Sequence, residues 1–165
     1  MNPRANPEAL LNKGERLDDL GRSGLRIIQS RSTYSFGLDS VLLAHFARAK
    51  RGDLVVDLGA GNGVVAILLS TLTPAAKILG IEIQPELVDM ARRSVEINEL
   101  GGRVEVVEGN ILDAPRLLGV ARADVVVTNP PYWREGSGAK NPNRLLAVAR
   151  HEIECSLGDV VAVSA

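Results

Sequence analysis

The middle of the chain alternates between short apolar runs of strand length and longer segments with helical periodicity. The strand-like runs are residues 54–58, 77–82, 103–108 and 123–128, and helical patterns span residues 64–72 and 85–100. A shorter helical or irregular crossover, residues 112–120, precedes the last strand. β-Branched runs that alternate with helices are typical of βαβ units, whose parallel sheet is covered on both faces. The alternation therefore predicts an α/β fold built on a mostly parallel sheet.

The segment before this alternation is polar and rich in proline at its start. Residues 1–23 are predicted to form a partly mobile N-terminal arm, and residues 24–165 a single domain. An extended piece at residues 24–30 leads through a loop to a helix, for which Asp39 is a plausible N-cap. His45 falls on the apolar face of that helix and is predicted to be a core residue.

The segment after the fourth strand carries two further helical patterns. Residues 143–153 have helical periodicity, and Ser156 with Asp159 is expected to cap a last helix. The sequence stops at Ala165, apparently within that helix.

Composition limits the class of protein without identifying a partner. Hydrophobic residues make up 45% and charged residues 24% of the 165 residues, as in ordinary globular domains. No run approaches the roughly 20 apolar residues of a membrane span, and the start has no apolar signal-peptide run. The single cysteine, Cys155, excludes an internal disulfide and a zinc site built on thiolates, and no metal is expected. These features predict a cytoplasmic protein.

Charge is unevenly distributed although the formal net charge is only −1. Residues 1–52 carry nine Lys/Arg against five Asp/Glu, and residues 134–150 carry four Lys/Arg against one Glu. Basic patches of this size suit a phosphate backbone, and they suit a solvated surface equally well. Charge alone therefore leaves both interpretations open.

A glycine-rich turn joins the first predicted strand to the helix after it. Glycines let the backbone turn tightly and approach a ligand, and ligands of open α/β sheets bind at the carboxyl ends of the strands. The spacing of Gly59, Gly61 and Gly63 is GxGxG, one residue shorter than the GxGxxG of dinucleotide-binding turns. This difference favours a cofactor without a pyrophosphate, such as S-adenosylmethionine, and the glycines are predicted to bind it.

Acidic and amide side chains at the strand ends are placed to hold the parts of S-adenosylmethionine. Asp57, two residues before the first glycine, is expected to hold the methionine ammonium group, directly or through water. Glu82, at the end of the second strand, is expected to accept hydrogen bonds from both ribose hydroxyls. Asn110, after the third strand, is expected either to accept a hydrogen bond from the adenine amino group or to be an ordinary loop residue.

The fourth strand runs directly into Asn129-Pro130-Pro131-Tyr132. Adenine amino and glutamine amide nitrogens are poor nucleophiles because their lone pairs are delocalised. The Asn129 side-chain oxygen and the Pro130 carbonyl can accept the two hydrogens of such a nitrogen, which stabilises the charge that develops as it attacks a sulfonium methyl group. The tetrapeptide therefore predicts methyl transfer to a planar nitrogen, against the simpler interpretation of a proline-rich turn. Asn129 is predicted to serve both catalysis and cofactor binding.

Two aromatic residues close this motif. Tyr132 offers a face on which a target base can stack, so it is predicted to serve both catalysis and substrate binding. Trp133, the only tryptophan, either extends that stacking surface for the substrate or packs under the loop.

Four segments together resemble bacterial tRNA (adenine-N6)-methyltransferases, which act on the adenine beside the anticodon of a valine tRNA. The segments are residues 15–44, the glycine-rich turn, the Asn-Pro-Pro-Tyr tetrapeptide and Ala149-Arg150-His151-Glu152. The resemblance implies a Rossmann-like class I methyltransferase sheet, with strand order 3-2-1-4 present and the last three strands of seven missing. It implies S-adenosylmethionine as the cofactor and tRNA as the substrate. It also implies that Phe36 and Asp39 close over the cofactor, while His151 is expected to be structural.

Two alternatives stay open. A protein-glutamine N5-methyltransferase of the release-factor type shares the tetrapeptide, although such enzymes carry a longer helical domain at the front. A non-catalytic, truncated cofactor- or RNA-binding fragment is the second alternative, because the strands expected after the fourth are missing. Unless another chain completes the sheet, the fourth strand is then expected to be an exposed apolar edge.

Overall fold

The computed structural model of the protein describes residues 7–30, 36–119, 122–130 and 157–165. Within these ranges the strands are β1 (Glu15–Asp19), β2 (Arg26–Ser30), β3 (Leu54–Leu58), β4 (Lys77–Glu82), β5 (Val104–Glu108) and β6 (Val125–Thr128). The α-helices are α1 (Leu38–Phe46), α2 (Val64–Leu72), α3 (Pro85–Ile97), α4 (Ala114–Leu118) and α5 (Leu157–Ser164). Two short 3-10 helices span Pro7–Leu10 and Ile111–Asp113.

Four parallel strands form the central sheet in the order β5-β4-β3-β6. Counted from β3, this is the predicted order 3-2-1-4, and the α/β class is confirmed. The strands differ from the predicted runs by at most two residues, since β5 begins at Val104 and β6 at Val125. Among the described residues, β6 pairs with β3 alone.

The sheet is covered on both faces, which is why its strands are almost entirely apolar. On one face α2 and α3 pack against side chains of β3, β4 and β5, and α1 packs against α2. On the other face the second 3-10 helix, α4 and α5 cover the side chains that point the opposite way. Seven of the nine residues of α2 are buried, so this helix anchors the layer beneath the glycine-rich turn. No helix within the described ranges has the length and apolar character needed to cross a membrane.

Helix α3 ends three residues before the predicted end at residue 100. Asn98 caps it, and Glu99 adopts the left-handed conformation with φ 56°. The Leu100 N–H then donates to the Val95 carbonyl at 3.0 Å, which is the hydrogen bond of a Schellman turn. The helix therefore stops at Ile97 and not at the end that the sequence pattern predicted.

Helix α1 begins at Leu38, with Gly37 at the N-cap position. The prediction that Asp39 caps this helix is therefore wrong. Asp39 lies in the first turn, where its Oδ1 accepts a hydrogen bond from the Ser40 backbone N–H at 2.9 Å. A carboxylate in the first turn still interacts favourably with the helix dipole.

The prediction that His45 is a core residue is also wrong. Ser40 and Ala44 form the buried face of α1, whereas His45 is exposed and its Nδ1 lies 2.9 Å from the Val41 carbonyl oxygen. Leu42 and Phe46 are exposed as well. The apolar residues of α1 therefore do not mark its buried face, and the sequence alone could not identify that face.

Residues 15–19, inside the predicted N-terminal arm, form β1, which pairs antiparallel with β2. This strand was not predicted because Glu-Arg-Leu-Asp-Asp lacks an apolar alternation. The other edge of β2 is satisfied by side chains of α3. The Ile28 N–H donates to Ser94 Oγ at 2.9 Å, and Asn98 bonds both the N–H and the carbonyl of Arg26 at 2.8 and 2.6 Å.

A buried ion pair fastens this hairpin to α3. Arg93 donates two hydrogen bonds to Glu15, each at 2.7 Å, and a third to the Leu10 carbonyl at 2.6 Å. The side chains of Arg93 and Glu15 are only 14% and 9% exposed. Burial acts to raise the pKa of Glu15, but the hydrogen bonds from Arg93 and from the Asn12 backbone hold it below its ordinary value.

We predict that Arg93→Met lowers the free energy of unfolding by about 3 kcal/mol, because it leaves the buried Glu15 carboxylate without its partner. The control is Arg16→Met, which removes an ion pair to Asp18 whose side chains are 46% and 31% exposed. This control is expected to cost at most about 1 kcal/mol. Urea denaturation of both variants measures the difference in unfolding free energy. Equal losses would contradict a stabilising role for the buried pair of Arg93 and Glu15.

Candidate active site

The glycine-rich turn lies at the carboxyl ends of β3 and β4. The backbone N–H groups of Gly59 and Ala60 both donate to the Ile81 carbonyl at 2.9 Å, which ties the start of the turn to β4. Gly59, Gly61 and Gly63 have φ values of 73°, 57° and 83°. Residues other than glycine rarely adopt such φ values. The path of the backbone therefore requires the three predicted glycines.

Two glycines also make room for close packing around the turn. A Cβ atom on Gly63 would lie 3.1 Å from the Ala91 Cβ of α3. A Cβ atom on Gly80, inside β4, would lie 2.8 Å from the Ala60 Cβ, closer than such atoms approach in proteins. Gly80 was missed in the sequence, although a glycine inside an apolar strand often marks a close approach of another backbone.

Asp57 and Glu82 bring two carboxylates together beneath this turn. Asp57 is 1% exposed in β3, and Glu82 is 6% exposed at the end of β4. The backbone N–H of Ala66, in the first turn of α2, donates to Asp57. Burial, together with the charge of Glu82, raises the pKa of Asp57 to about 7. Burial also raises the pKa of Glu82, against the hydrogen bonds from the backbone that it accepts.

Glu82 is held in place from both sides. Its Oε2 accepts a hydrogen bond from the Gly61 N–H, and its Oε1 accepts one from the Gln84 N–H, each at 2.9 Å. The Gln84 side chain also bonds this carboxylate. These bonds fix the orientation of the Glu82 carboxylate beside the glycine-rich turn.

Buried acceptors without partners accumulate near these strand ends. Within the described ranges, the buried side-chain polar atoms that lack a hydrogen-bond partner are Asp57 Oδ2, Gln84 Oε1 and Gln29 Oε1. All three are oxygen acceptors, and two of them belong to the site formed by β3 and β4. Since buried polar atoms are nearly always satisfied in proteins, the site is suited to a ligand rich in donors. Gln84 was not singled out in the sequence, and its position two residues after Glu82 is the signal that was available.

Asn110 lies at the exit of β5, and the Gly109 N–H bonds the Glu82 carbonyl at 2.9 Å. The Asn110 side-chain oxygen accepts a hydrogen bond from the Leu112 N–H at 2.9 Å and caps the 3-10 helix there. This contact agrees with the loop interpretation. An amide oxygen has two lone pairs, so one hydrogen bond does not exclude a second donor.

Asn129 lies just past β6, where Thr128 Oγ1 donates to the Leu58 carbonyl at 2.9 Å. The Asn129 side-chain nitrogen donates to Asp39 Oδ2 and to Ser40 Oγ, both at 3.1 Å. The structure therefore brings two predicted site residues, Asp39 and Asn129, into direct contact across 90 positions of sequence. Ser40, which is 4% exposed, was not among the predicted site residues.

The remaining predicted residues divide into two groups. Phe36 is half-buried and packs against the core that contains α2, and Pro130 follows Asn129 at the end of the described range. Tyr132 and Trp133 lie outside the described residues, as does His151. Among the residues that the structure describes, no group of three or more His, Cys, Asp or Glu is placed to hold a metal ion.

Comparison with known proteins identifies one family domain along most of the chain. A family model for the methyltransferase small domain matches residues 32–164. The chain is 33% identical over 132 residues to a tRNA1(Val) (adenine(37)-N6)-methyltransferase of Porphyromonas gingivalis, covering 76% of this chain and 51% of that protein. It is 36% identical over 85 residues to a release factor glutamine methyltransferase of Geobacter sulfurreducens, covering 52% of this chain and 28% of that protein.

A solved structure shares the fold. The tRNA m1G37 methyltransferase of Methanocaldococcus jannaschii superposes with a TM-score of 0.57 at 19% identity, over 73% of this chain and 36% of that one. At this identity the likeness concerns the fold alone, and it agrees with a Rossmann-like sheet. The chain spans about half the length of the tRNA methyltransferase that it matches, and about a quarter of the glutamine methyltransferase.

The raised pKa of Asp57 generates a test of the buried carboxylate pair. A carboxyl group whose pKa is higher in the folded than in the unfolded state stabilises the fold at low pH, and that stabilisation is lost as pH rises toward the folded pKa. With a folded pKa of about 7, wild type should lose about 2–3 kcal/mol of this contribution between about pH 5 and pH 8.

The Asp57→Asn variant lacks this titration and is therefore predicted to gain on wild type by that amount over the same interval. Urea denaturation of both proteins at several pH values measures the difference in unfolding free energy. A difference that stays constant with pH would mean that Asp57 ionises at an ordinary value.

Proposed function

The chain belongs to the methyltransferase small domain family, and we propose that it methylates the exocyclic amino group of adenine in tRNA, with S-adenosylmethionine as methyl donor. The observation that carries this proposal is that Asn129 follows β6 at the same carboxyl edge of the sheet as the glycine-rich turn and the carboxylates at the ends of β3 and β4. The first is an acceptor for a planar nitrogen, and the second is an acceptor-rich site at the carboxyl edge of the sheet.

The unpartnered acceptor oxygens of the site fit S-adenosylmethionine. The cofactor presents an ammonium group and two ribose hydroxyls, and the site presents the unpartnered oxygens Asp57 Oδ2 and Gln84 Oε1 beside the Glu82 carboxylate. A buried pair of carboxylates also favours a ligand that carries positive charge. Asp57 would hold the ammonium group, while Glu82 and Gln84 would hold the ribose.

The glycine conformations suit the same ligand. A Cβ atom on Gly59 or Gly61 would meet no atom of the described residues within 4 Å, so these residues leave the space beside the turn open. The backbone of the turn can therefore approach the cofactor closely. Phe36 is proposed to close over the same site, as the family resemblance implies, and Asn110 to line it from the exit of β5.

When bound, S-adenosylmethionine supplies an electrophilic methyl group on a sulfonium. The contribution of the chain is to orient the acceptor nitrogen and to stabilise its developing charge. Asn129 Oδ1 and the Pro130 carbonyl would accept the two amino hydrogens, so that the nitrogen lone pair can form the bond to carbon as the carbon–sulfur bond breaks. The excess proton then leaves to water. Positioning is the other large term, and no general base is needed.

Adenine in tRNA is favoured over glutamine by the extent of the alignment and by the charge of the front of the chain. The alignment to the tRNA methyltransferase covers 76% of the chain, against 52% for the glutamine methyltransferase. The excess of basic residues in positions 1–52 suits a phosphate backbone. A cytoplasmic location, where tRNA is modified, belongs to the same proposal. Glutamine in a protein is the second candidate, because its amide nitrogen poses the same chemical problem.

We predict that the chain transfers labelled methyl groups from S-adenosylmethionine into total tRNA, and not into ribosomal RNA or a protein extract. The label should be recovered as N6-methyladenosine after nuclease digestion. Label in protein alone would contradict the tRNA proposal and favour the glutamine alternative.

Asn129→Ala provides the matched control for this assay. It should reduce transfer by about 100-fold or more, the usual cost of losing a charge-stabilising hydrogen bond in the transition state. Affinity for S-adenosylhomocysteine should stay within a few-fold of wild type. A comparable loss of affinity would mean that Asn129 serves the cofactor and not the acceptor nitrogen.

A further inference from the structure

We propose that Asp39 and Ser40 are positioning residues for methyl transfer, which hold the Asn129 amide with its oxygen toward the acceptor nitrogen. This proposal rests on the proposed function and deepens it. It changes the role of Asp39, which the family resemblance assigned to the cofactor, and it adds Ser40 to the site.

The geometry of the contact accounts for both hydrogens of the Asn129 amide nitrogen. Nδ2 carries two hydrogens, and its two acceptors are Asp39 Oδ2 and Ser40 Oγ, each at 3.1 Å. Both acceptors belong to the first turn of α1. The amide nitrogen is therefore directed at α1, and Oδ1, on the opposite side of the amide group, is directed away from it.

The identity of Asp39 decides this orientation. An amide group can often be rotated by 180° with little change in shape, so its orientation depends on its partners. An ionised carboxylate can only accept hydrogen bonds. Rotation of the Asn129 amide would place its oxygen against the Asp39 oxygen, which is repulsive, whereas a hydroxyl alone would tolerate either orientation.

The charge of Asp39 also strengthens the catalytic acceptor. Hydrogen bonds in a chain polarise one another, and the effect is larger where water is excluded. Ser40 is 4% exposed, so the contact is shielded on that side. A carboxylate on Nδ2 increases the electron density on Oδ1, which must stabilise a nitrogen that becomes positive during attack.

The backbone before α1 is shaped to admit this carboxylate. A Cβ atom on Gly37 would lie 2.6 Å from Asp39 Oδ1, so any larger residue there would displace the carboxylate. The Ser40 N–H also donates to Asp39 Oδ1 at 2.9 Å. Asp39 is therefore held at one oxygen by its own helix while the other oxygen receives the Asn129 amide.

The test combines turnover, cofactor affinity and the nuclear magnetic resonance signal of the Asn129 side chain. Asp39→Asn should lower kcat for methyl transfer by about 10- to 100-fold and Ser40→Ala by about threefold to tenfold. The Kd for S-adenosylhomocysteine should stay within about twofold in both variants. The two amide protons of Asn129, assigned by their loss in Asn129→Ala, should shift in both variants.

Two further variants separate positioning from damage to the fold. Gly37→Ala keeps the charge of Asp39 but displaces it, and should lower kcat in the same direction as Asp39→Asn with the Kd unchanged. Ser70→Ala removes another buried helical serine, whose hydroxyl donates to the Ile67 carbonyl of its own helix at 2.6 Å. Its kcat, and the resonances of Asn129, should match wild type.

Three results would overturn the proposal. If Asp39→Asn raises the Kd by the same factor as it lowers transfer, Asp39 is a cofactor-binding residue. If Asn129→Ala abolishes transfer while Asp39→Asn and Ser40→Ala match wild type, the proposed function stands and the positioning role fails. If wild type transfers no methyl group, the proposed function fails separately, and unchanged Asn129 resonances in both variants then contradict the contact itself.

Discussion

The site depends on a carboxylate pair that the fold buries at the junction of β3, β4 and the glycine-rich turn. Asp57 is almost fully enclosed, and Glu82 is held by the N–H groups of Gly61 and Gln84. Two buried carboxylates disfavour each other's ionised form, so this arrangement costs stability unless a positive ligand or protons compensate. The left-handed glycines and the close approach of Ala60 to Gly80 are what allow the turn to reach Glu82. The structure thus keeps an unfavourable charge arrangement at the edge where open α/β sheets bind ligands.

Elements outside the sheet complete the site from the opposite side. The first turn of α1 meets Asn129 after β6, and the bond from Thr128 to Leu58 keeps that strand end beside β3. The hairpin formed by β1 and β2 is fixed to α3 through Arg93, and Asn62 in the glycine-rich turn donates to the Ile28 carbonyl at 3.1 Å. The front of the chain is therefore joined both to the glycine-rich turn and to α3. This connection gives the N-terminal segment a structural reason to accompany the methyltransferase sheet.

The central sheet and the glycine-rich turn at its edge were predictable because their signals are local. Buried parallel strands must be continuously apolar, and a tight turn at their ends requires glycine, so β3 to β6 and the turn follow from short stretches of sequence. Contacts between distant segments were not predictable in the same way. Strand β1 is polar, and its Glu15 is paired with Arg93, 78 positions away. Asp39 has the sequence pattern of a helix cap, whereas in the fold it contacts Asn129, 90 positions away. His45 was misplaced because α1 has exposed apolar residues, and Gln84 was overlooked because its unpartnered oxygen is a property of the folded site.

In the proposed function, the ionised Asp57 receives the ammonium group of the cofactor. Calorimetric titration of the chain with S-adenosylhomocysteine, in two buffers of different ionisation enthalpy, measures the protons exchanged on binding. Because the pKa of Asp57 is about 7 in the free protein, binding at pH 7 should release about half a proton, and the release should disappear in Asp57→Asn. Absence of binding, or a release that is the same in wild type and in Asp57→Asn, would contradict this role of Asp57.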